Sequence, residues 1–164
     1  SLQSNQIFAY NPTTDTLTLR TARLPSARSA LSCTSLGTRI YCFGGEEAMA
    51  LETDQIFAYD PAADSIAVMN SRLPIGRASL SCTSTSSSLI TCFGGSFLHN
   101  ELNQILLYTA LTDTLRIEAA VLPTNRKGLS CTSFSNGKHY CFGGFDSPGV
   151  PYFNFYAAPV EYTP

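Results

Sequence analysis

The sequence has no tryptophan, two methionines and two histidines, and only 13% of its 164 residues are charged. An average globular chain is roughly 25% charged. This thin charge is not that of a membrane helix, because no apolar run approaches the roughly 20 residues that one needs. Ten Lys and Arg stand against twelve Asp and Glu, a net charge of −2. That offers no phosphate-seeking face, so neither nucleic acid nor membrane insertion is expected. Short polar stretches and 44% hydrophobic residues argue against disorder, and the length suits one globular domain with a sizeable core. The sequence contains no Gly-x-Ser-x-Gly turn, phosphate loop or EF-hand loop. The one Asn-x-Thr triplet, Asn11-Pro12-Thr13, is blocked by its proline. The chain opens at Ser1 with no visible leader, which reads as a processed product or a fragment.

What the sequence does have is repetition. Gln6-Ile7-Phe8-Ala9-Tyr10-Asn11-Pro12 returns as Gln55-Ile56-Phe57-Ala58-Tyr59-Asp60-Pro61, and more loosely from Gln104 to Tyr108. Leu-Pro-x-x-Arg ends at Arg28, Arg77 and Arg126, and Leu-Ser-Cys-Thr-Ser followed by Cys-Phe-Gly-Gly ends at Gly45, Gly95 and Gly144. Tyr10, Tyr59 and Tyr108 are spaced by 49 residues, as are the three arginines. Three repeats follow, over residues 5–45, 46–95 and 96–144. Residues 145–164 form an aromatic, Pro-containing tail or a truncated fourth copy, beginning at Tyr152-Phe153-Asn154-Phe155-Tyr156. Within a repeat, 31–35, 40–43, 56–59 and 65–69 are short runs of β-compatible residues closed by Gly-Gly or by Asp-Pro. No segment has a helical period, so the expected class is all-β.

The cysteines fall in register with these strands. If Gly37-Thr38 is a two-residue type II′ turn, Cys33 lies opposite Cys42. One extra residue near Ser86-Ser87-Ser88 puts Cys82 opposite Cys92, and a three-residue Ser135-Asn136-Gly137 loop puts Cys131 opposite Cys141. Opposed Cα atoms in an antiparallel pair lie about 4.5–5.5 Å apart, within disulfide reach. Three disulfides imply an oxidising compartment and a secreted or cell-surface protein. The alternative is three reduced pairs buried as small apolar side chains.

Together these pieces resemble the kelch repeat: an apolar strand, a strand ending in Gly44-Gly45, then Tyr59, Pro61 and Ile66, with Arg28, Arg77 and Arg126 after the Leu-Pro loop. The chain departs from that family in placing Leu17, Ile66 and Leu115 where the family has Trp, and in its paired cysteines. The resemblance implies a β-propeller of four-stranded antiparallel blades, a fold of roughly 4 to 8 blades. Three repeats then make a partial ring. Either the chain is a piece of a longer propeller, or two copies close a six-bladed ring, each N-terminal strand pair completing the partner's last blade and leaving the tail free.

Candidate sites divide into scaffold and surface. His99 and His139 are a general base or metal ligand, or one loop and one strand histidine. Asp15, Asp64 and Asp113 are a carboxylate ring, or turn residues accepting backbone N–H bonds. Arg28, Arg77 and Arg126 bind an anion, or tie their loop to a carbonyl. The loops after each Gly-Gly (46–54, 96–103 and 145–151) vary most, and varied loops on a repeated scaffold carry recognition. Phe97, Leu98, Phe145, Tyr152, Phe153, Phe155 and Tyr156 either pack between blades or offer an apolar contact to another chain. The expected role is a secreted interaction or self-assembly module in a matrix, surface coat or filament. Its partners would be copies of itself or another extracellular protein. The alternative is a propeller that binds a glycan. No acid–base or metal constellation is visible, so no catalytic residue and no cofactor is expected.

Overall fold

The computed structural model describes residues 3–85, 88–146, 154–155 and 160–162. The protein is all-β, built on several four-stranded antiparallel sheets, and the only helical turn among the described residues is a 3-10 turn at Ala48–Ala50. In chain order the strands are β1 (Ser4–Asn11), β2 (Thr16–Arg28), β3 (Ser32–Leu36), β4 (Arg39–Phe43), β5 (Glu46–Glu47), β6 (Leu51–Glu52), β7 (Gln55–Asp60), β8 (Ser65–Arg72) and β9 (Ser81–Ser84). There follow β10 (Leu89–Phe93), β11 (Ser96–Phe97), β12 (Asn100–Glu101), β13 (Gln104–Thr109), β14 (Thr114–Val121), β15 (Lys127–Ser133), β16 (His139–Asp146), β17 (Asn154–Phe155) and β18 (Val160–Tyr162). The first sheet is β3-β4-β7-β8 and the second β9-β10-β13-β14; the third joins β15 to β16, with β17 and β18 on the far edge of β16. The N-terminal pair β1-β2 stands apart as two strands.

Within each sheet the cysteine register is the expected one: Cys33 faces Cys42, Cys82 faces Cys92 and Cys131 faces Cys141. All three pairs are disulfides, with Cα atoms 4.0–4.1 Å apart, closer than an unbridged opposed pair. Gly37 takes φ 60° in the two-residue turn after Leu36 and Gly137 takes φ 81° in the Ser135–Gly137 loop. Both are turn positions that a residue without Cβ fills at no steric cost. The second hairpin's loop includes residues 86 and 87, which lie outside the described residues.

Consecutive sheets are tied at three levels. At the inner strands, Ser32 Oγ accepts the Cys82 N–H at 2.9 Å and Ser81 Oγ accepts the Cys131 N–H at 2.9 Å. In the middle, the Gly45 N–H donates to the Arg77 carbonyl at 2.9 Å and the Gly95 N–H to the Arg126 carbonyl at 3.1 Å. A Cβ on Gly44 would lie 2.2 Å from the Arg77 carbonyl oxygen, which is why this close approach demands glycine. At the outer strands, aspartates reach back to the preceding sheet, as described below. The main core lies between the first two sheets, where Tyr41, Phe43 and Ile56 meet Leu80, Ile90, Leu106 and Tyr108. Phe43 and Tyr108 meet edge-on at 5.5 Å, an arrangement favoured by the ring quadrupole.

Of the tail, expected either as a separate segment or as a truncated fourth copy, the described residues pair with the third sheet. Phe145 pairs with Phe155 and Asp146 with Asn154, as Ser96 pairs with Glu101 and Phe97 with Asn100 in the small β11-β12 hairpin. Cys141 then faces Val160 and His139 faces Tyr162, as Cys92 faces Leu106 and Ile90 faces Tyr108. The described residues of the tail therefore extend the third sheet, β16 running past the expected boundary at residue 144. Tyr162, rather than the 152–156 phrase, occupies the position of Tyr59 and Tyr108.

Candidate functional site

The repeated arginines lie inside the fold. Arg28, Arg77 and Arg126 are buried, and each directs Nη1 to a carbonyl of the Gly-Gly segment: Gly44 at 3.2 Å, Gly94 at 3.2 Å and Gly143 at 3.4 Å. Arg28 Nη2 also donates to Gln55 Oε1, and Arg77 Nη2 to Gln104 Oε1, both at 2.7 Å. Of the two readings, tying the loop to a carbonyl is the one the geometry displays.

The aspartates likewise hold the scaffold. Each sits at positive φ (51°, 47° and 48° for Asp15, Asp64 and Asp113), a conformation Asp tolerates in turns. Each accepts the hydroxyl of the tyrosine five residues before it: Tyr10, Tyr59 and Tyr108, at 2.8, 2.9 and 3.0 Å. Asp64 also accepts the Thr21 N–H from β2, and Asp113 accepts those of Asn70 and Ser71 from β8. Burial pushes the Asp113 carboxyl up, but these donors outweigh it and hold the group below the ordinary carboxylate range.

His99 is exposed in the β11-β12 turn, whereas His139 is fully buried, its Nε2 3.0 Å from Thr91 Oγ1 and its ring stacked on Tyr162 and edge-on to Phe93. Burial lowers the imidazole pKa below its ordinary value. The unfolded chain takes up this proton near pH 6.5, before the folded one does, so His139 leaves stability unchanged above that pH and erodes it below. The thermal midpoint is expected to fall between pH 7.5 and pH 5, and to fall less in His139→Gln; equal falls in both proteins would exclude His139 as the source.

Of the aromatic candidates, Phe97 lies half-buried in β11, and Phe145 lies half-buried in β16 with Lys127 Nζ 5.4 Å from its ring centre. Phe155 is the backbone partner of Phe145. Tyr152, Phe153 and Tyr156 lie outside the described residues. The variable loops 46–54 and 96–103 hold the small hairpins β5-β6 and β11-β12.

The N-terminal pair, which the repeat count left without an inner pair of its own, is what sequence reasoning placed but did not describe as a surface. β1 and β7 both read Gln-Ile-Phe-Ala-Tyr, and β1-β2 repeats the β7-β8 register, including the irregularity after the glutamine. Phe57 is 0% exposed and Tyr59 6%, but Phe8 is 55% exposed and Tyr10 58%. The cause is pairing: β7 lies between β4 and β8, whereas among the described residues β1 pairs only with β2. Between this free edge and the first sheet runs a groove of about 440 Å³, lined by Phe8, Tyr10, Leu31, Cys33, Phe57 and Tyr59. Cys33 is exposed on its floor, whereas its counterpart Cys82 is buried by the sheet before it. Leu17 and Leu19 of β2 are also exposed, which makes the pair an apolar, edge-open surface. The signal for it was the exact repetition of the pentapeptide at a place with no Cys-bearing hairpin before it. No protein-family model matches the chain, and no curated protein matches it.

Proposed function

We propose that this chain is a kelch-like propeller unit, held by disulfides in an oxidising extracellular setting, that acts by binding protein at its N-terminal half-blade. The observation that supports this reading is the single pentapeptide buried in β7 and bare in β1. A strand edge flanked by exposed Phe8 and Tyr10 is a template for strand addition, in which backbone bonds supply affinity and side-chain pockets supply register. The binding role fits a matrix, coat or filament subunit, and the three disulfides fit life outside the cell.

The test is self-association measured by light scattering. The wild-type mass is expected to rise above the 17.7 kDa of one chain as concentration increases. The Phe8→Glu/Tyr10→Glu double variant is expected to stay at that mass with unchanged circular dichroism. A wild-type protein that remains a single chain at every concentration, or a double variant that associates equally well, overturns the proposal.

A further inference from the structure

We infer that the occupant of the β1 edge is a second copy of this chain, contributing its β15-β16 hairpin and giving up its own β18 to do so. This rests on the reading of β1 as a docking edge and names the partner and the register. In the first sheet, Gln-Ile-Phe-Ala-Tyr of β7 lies against the tripeptide Tyr41-Cys42-Phe43, with Tyr41 facing Ala58, Cys42 facing Phe57 and Phe43 facing Ile56. The same tripeptide recurs as Tyr140-Cys141-Phe142 in β16. Carried over to β1, that register places Tyr140 of the second copy opposite Ala9, Cys141 opposite Phe8 and Phe142 opposite Ile7.

This one placement matches the left-over member of each tie between sheets. An inner-strand phenylalanine meets a tyrosine of the next sheet twice in the chain, Phe43 with Tyr108 at 5.5 Å and Phe93 with Tyr162 at 5.7 Å. Phe142, 51% exposed, is the remaining phenylalanine, and Tyr59 on the groove wall is the remaining tyrosine. Ser32 and Ser81 hold the Cys82 and Cys131 amides; Ser130 and Cys33, both exposed, are the remaining serine and cysteine. Asp64 and Asp113 hold the Thr21 and Asn70 amides, and the same spacing brings the exposed Ala119 of one copy to Asp15 of the other.

The seat is contested by β18, which lies on β16 where β7 lies on β4. The sequence there, Ala158-Pro159-Val160-Glu161-Tyr162, keeps only the tyrosine of the pentapeptide, whereas β1 keeps all five residues. Gln6 would also stand where Gln55 and Gln104 meet Arg28 and Arg77. Mutual exchange completes three four-stranded sheets per chain, six in a closed two-fold ring.

The experiment mixes full-length Ala9→Cys with full-length Tyr140→Cys under mild oxidation. The expected result is a disulfide-linked pair of chains whose peptide map joins position 9 to position 140, together with a wild-type mass limited to two chains. Ala9→Cys mixed with Thr132→Cys, one strand removed from the edge, is expected to give no such bridge. Association that depends on Phe8 and Tyr10 but yields no 9–140 bridge, or a bridge to position 132 equally well, overturns the exchange and leaves the docking edge standing. Absence of any association that depends on Phe8 and Tyr10 overturns both.

Discussion

Reduction of the three disulfides is expected to unfold this protein at 37 °C without denaturant. Each bridge spans a sequence separation of 9 or 10 residues. On the chain-entropy account, a loop of that size contributes about 2–3 kcal/mol by narrowing the unfolded ensemble. Three together contribute about 6–9 kcal/mol, comparable with the whole stability of an ordinary domain, about 5–15 kcal/mol. Urea titrations with and without reductant measure this directly. The double replacement Cys82→Ala/Cys92→Ala is expected to lose about one third of the total effect. A reduced protein whose urea midpoint matches the oxidised one would exclude the bridges as a main source of stability.

Replacing Arg77 with alanine is expected to cost about 3–5 kcal/mol, the range for removing one partner from a buried polar network. The side chain is 0% exposed, and its guanidinium is the donor to the Gly94 carbonyl and to Gln104 Oε1. Truncation leaves the buried Gly94 carbonyl and the half-buried Gln104 Oε1 without this donor, and a cavity beside them. Burial lowers the guanidinium pKa to about 10, which still leaves it charged at neutral pH. Arg77→Lys is expected to recover less than half of the loss, because a single ammonium cannot reproduce the planar fork that spans both acceptors. At this chain length each kcal/mol lowers the melting temperature by about 2–4 °C. A melting temperature within 2 °C of wild type for Arg77→Ala would show that Gly94 and Gln104 find other donors.

The cysteine register was legible because strand pairing advances one residue per residue, so a turn length alone decides which side chains face each other. Cys33–Cys42 and Cys131–Cys141 follow from a two-residue and a three-residue loop. The arginines and aspartates were legible as residues that tie a loop to a carbonyl or accept backbone N–H bonds, but not by partner. Arg28 meets a carbonyl 16 residues away, and Asp64 an amide 43 residues away on another sheet. A repeat spacing carries no information about such cross-sheet distances. The tail's register was hidden by the seven residues between Asp146 and Asn154, which shift Tyr162 off the regular spacing. Only the Tyr162-Thr163-Pro164 triplet, parallel to Tyr59-Asp60-Pro61, marked the true alignment. The bare edge of β1 could not be read from its own residues at all, since β7 has the same five and is buried.

The small hairpins after the first two Gly-Gly pairs have turns of three residues at Ala48–Ala50 and two at Leu98–His99, and in the third repeat seven residues of sequence separate Asp146 from its partner Asn154. From the end of each hairpin to the third strand the count is constant: Glu52 to Phe57, Glu101 to Leu106 and Phe155 to Val160 are all five residues. Length is thus absorbed between the paired ends of these segments without disturbing the sheet registers. Because lengthening a flexible loop adds only about 0.6 kcal/mol per doubling, these connections can carry grafted peptides while the disulfide-bearing strands keep their alignment.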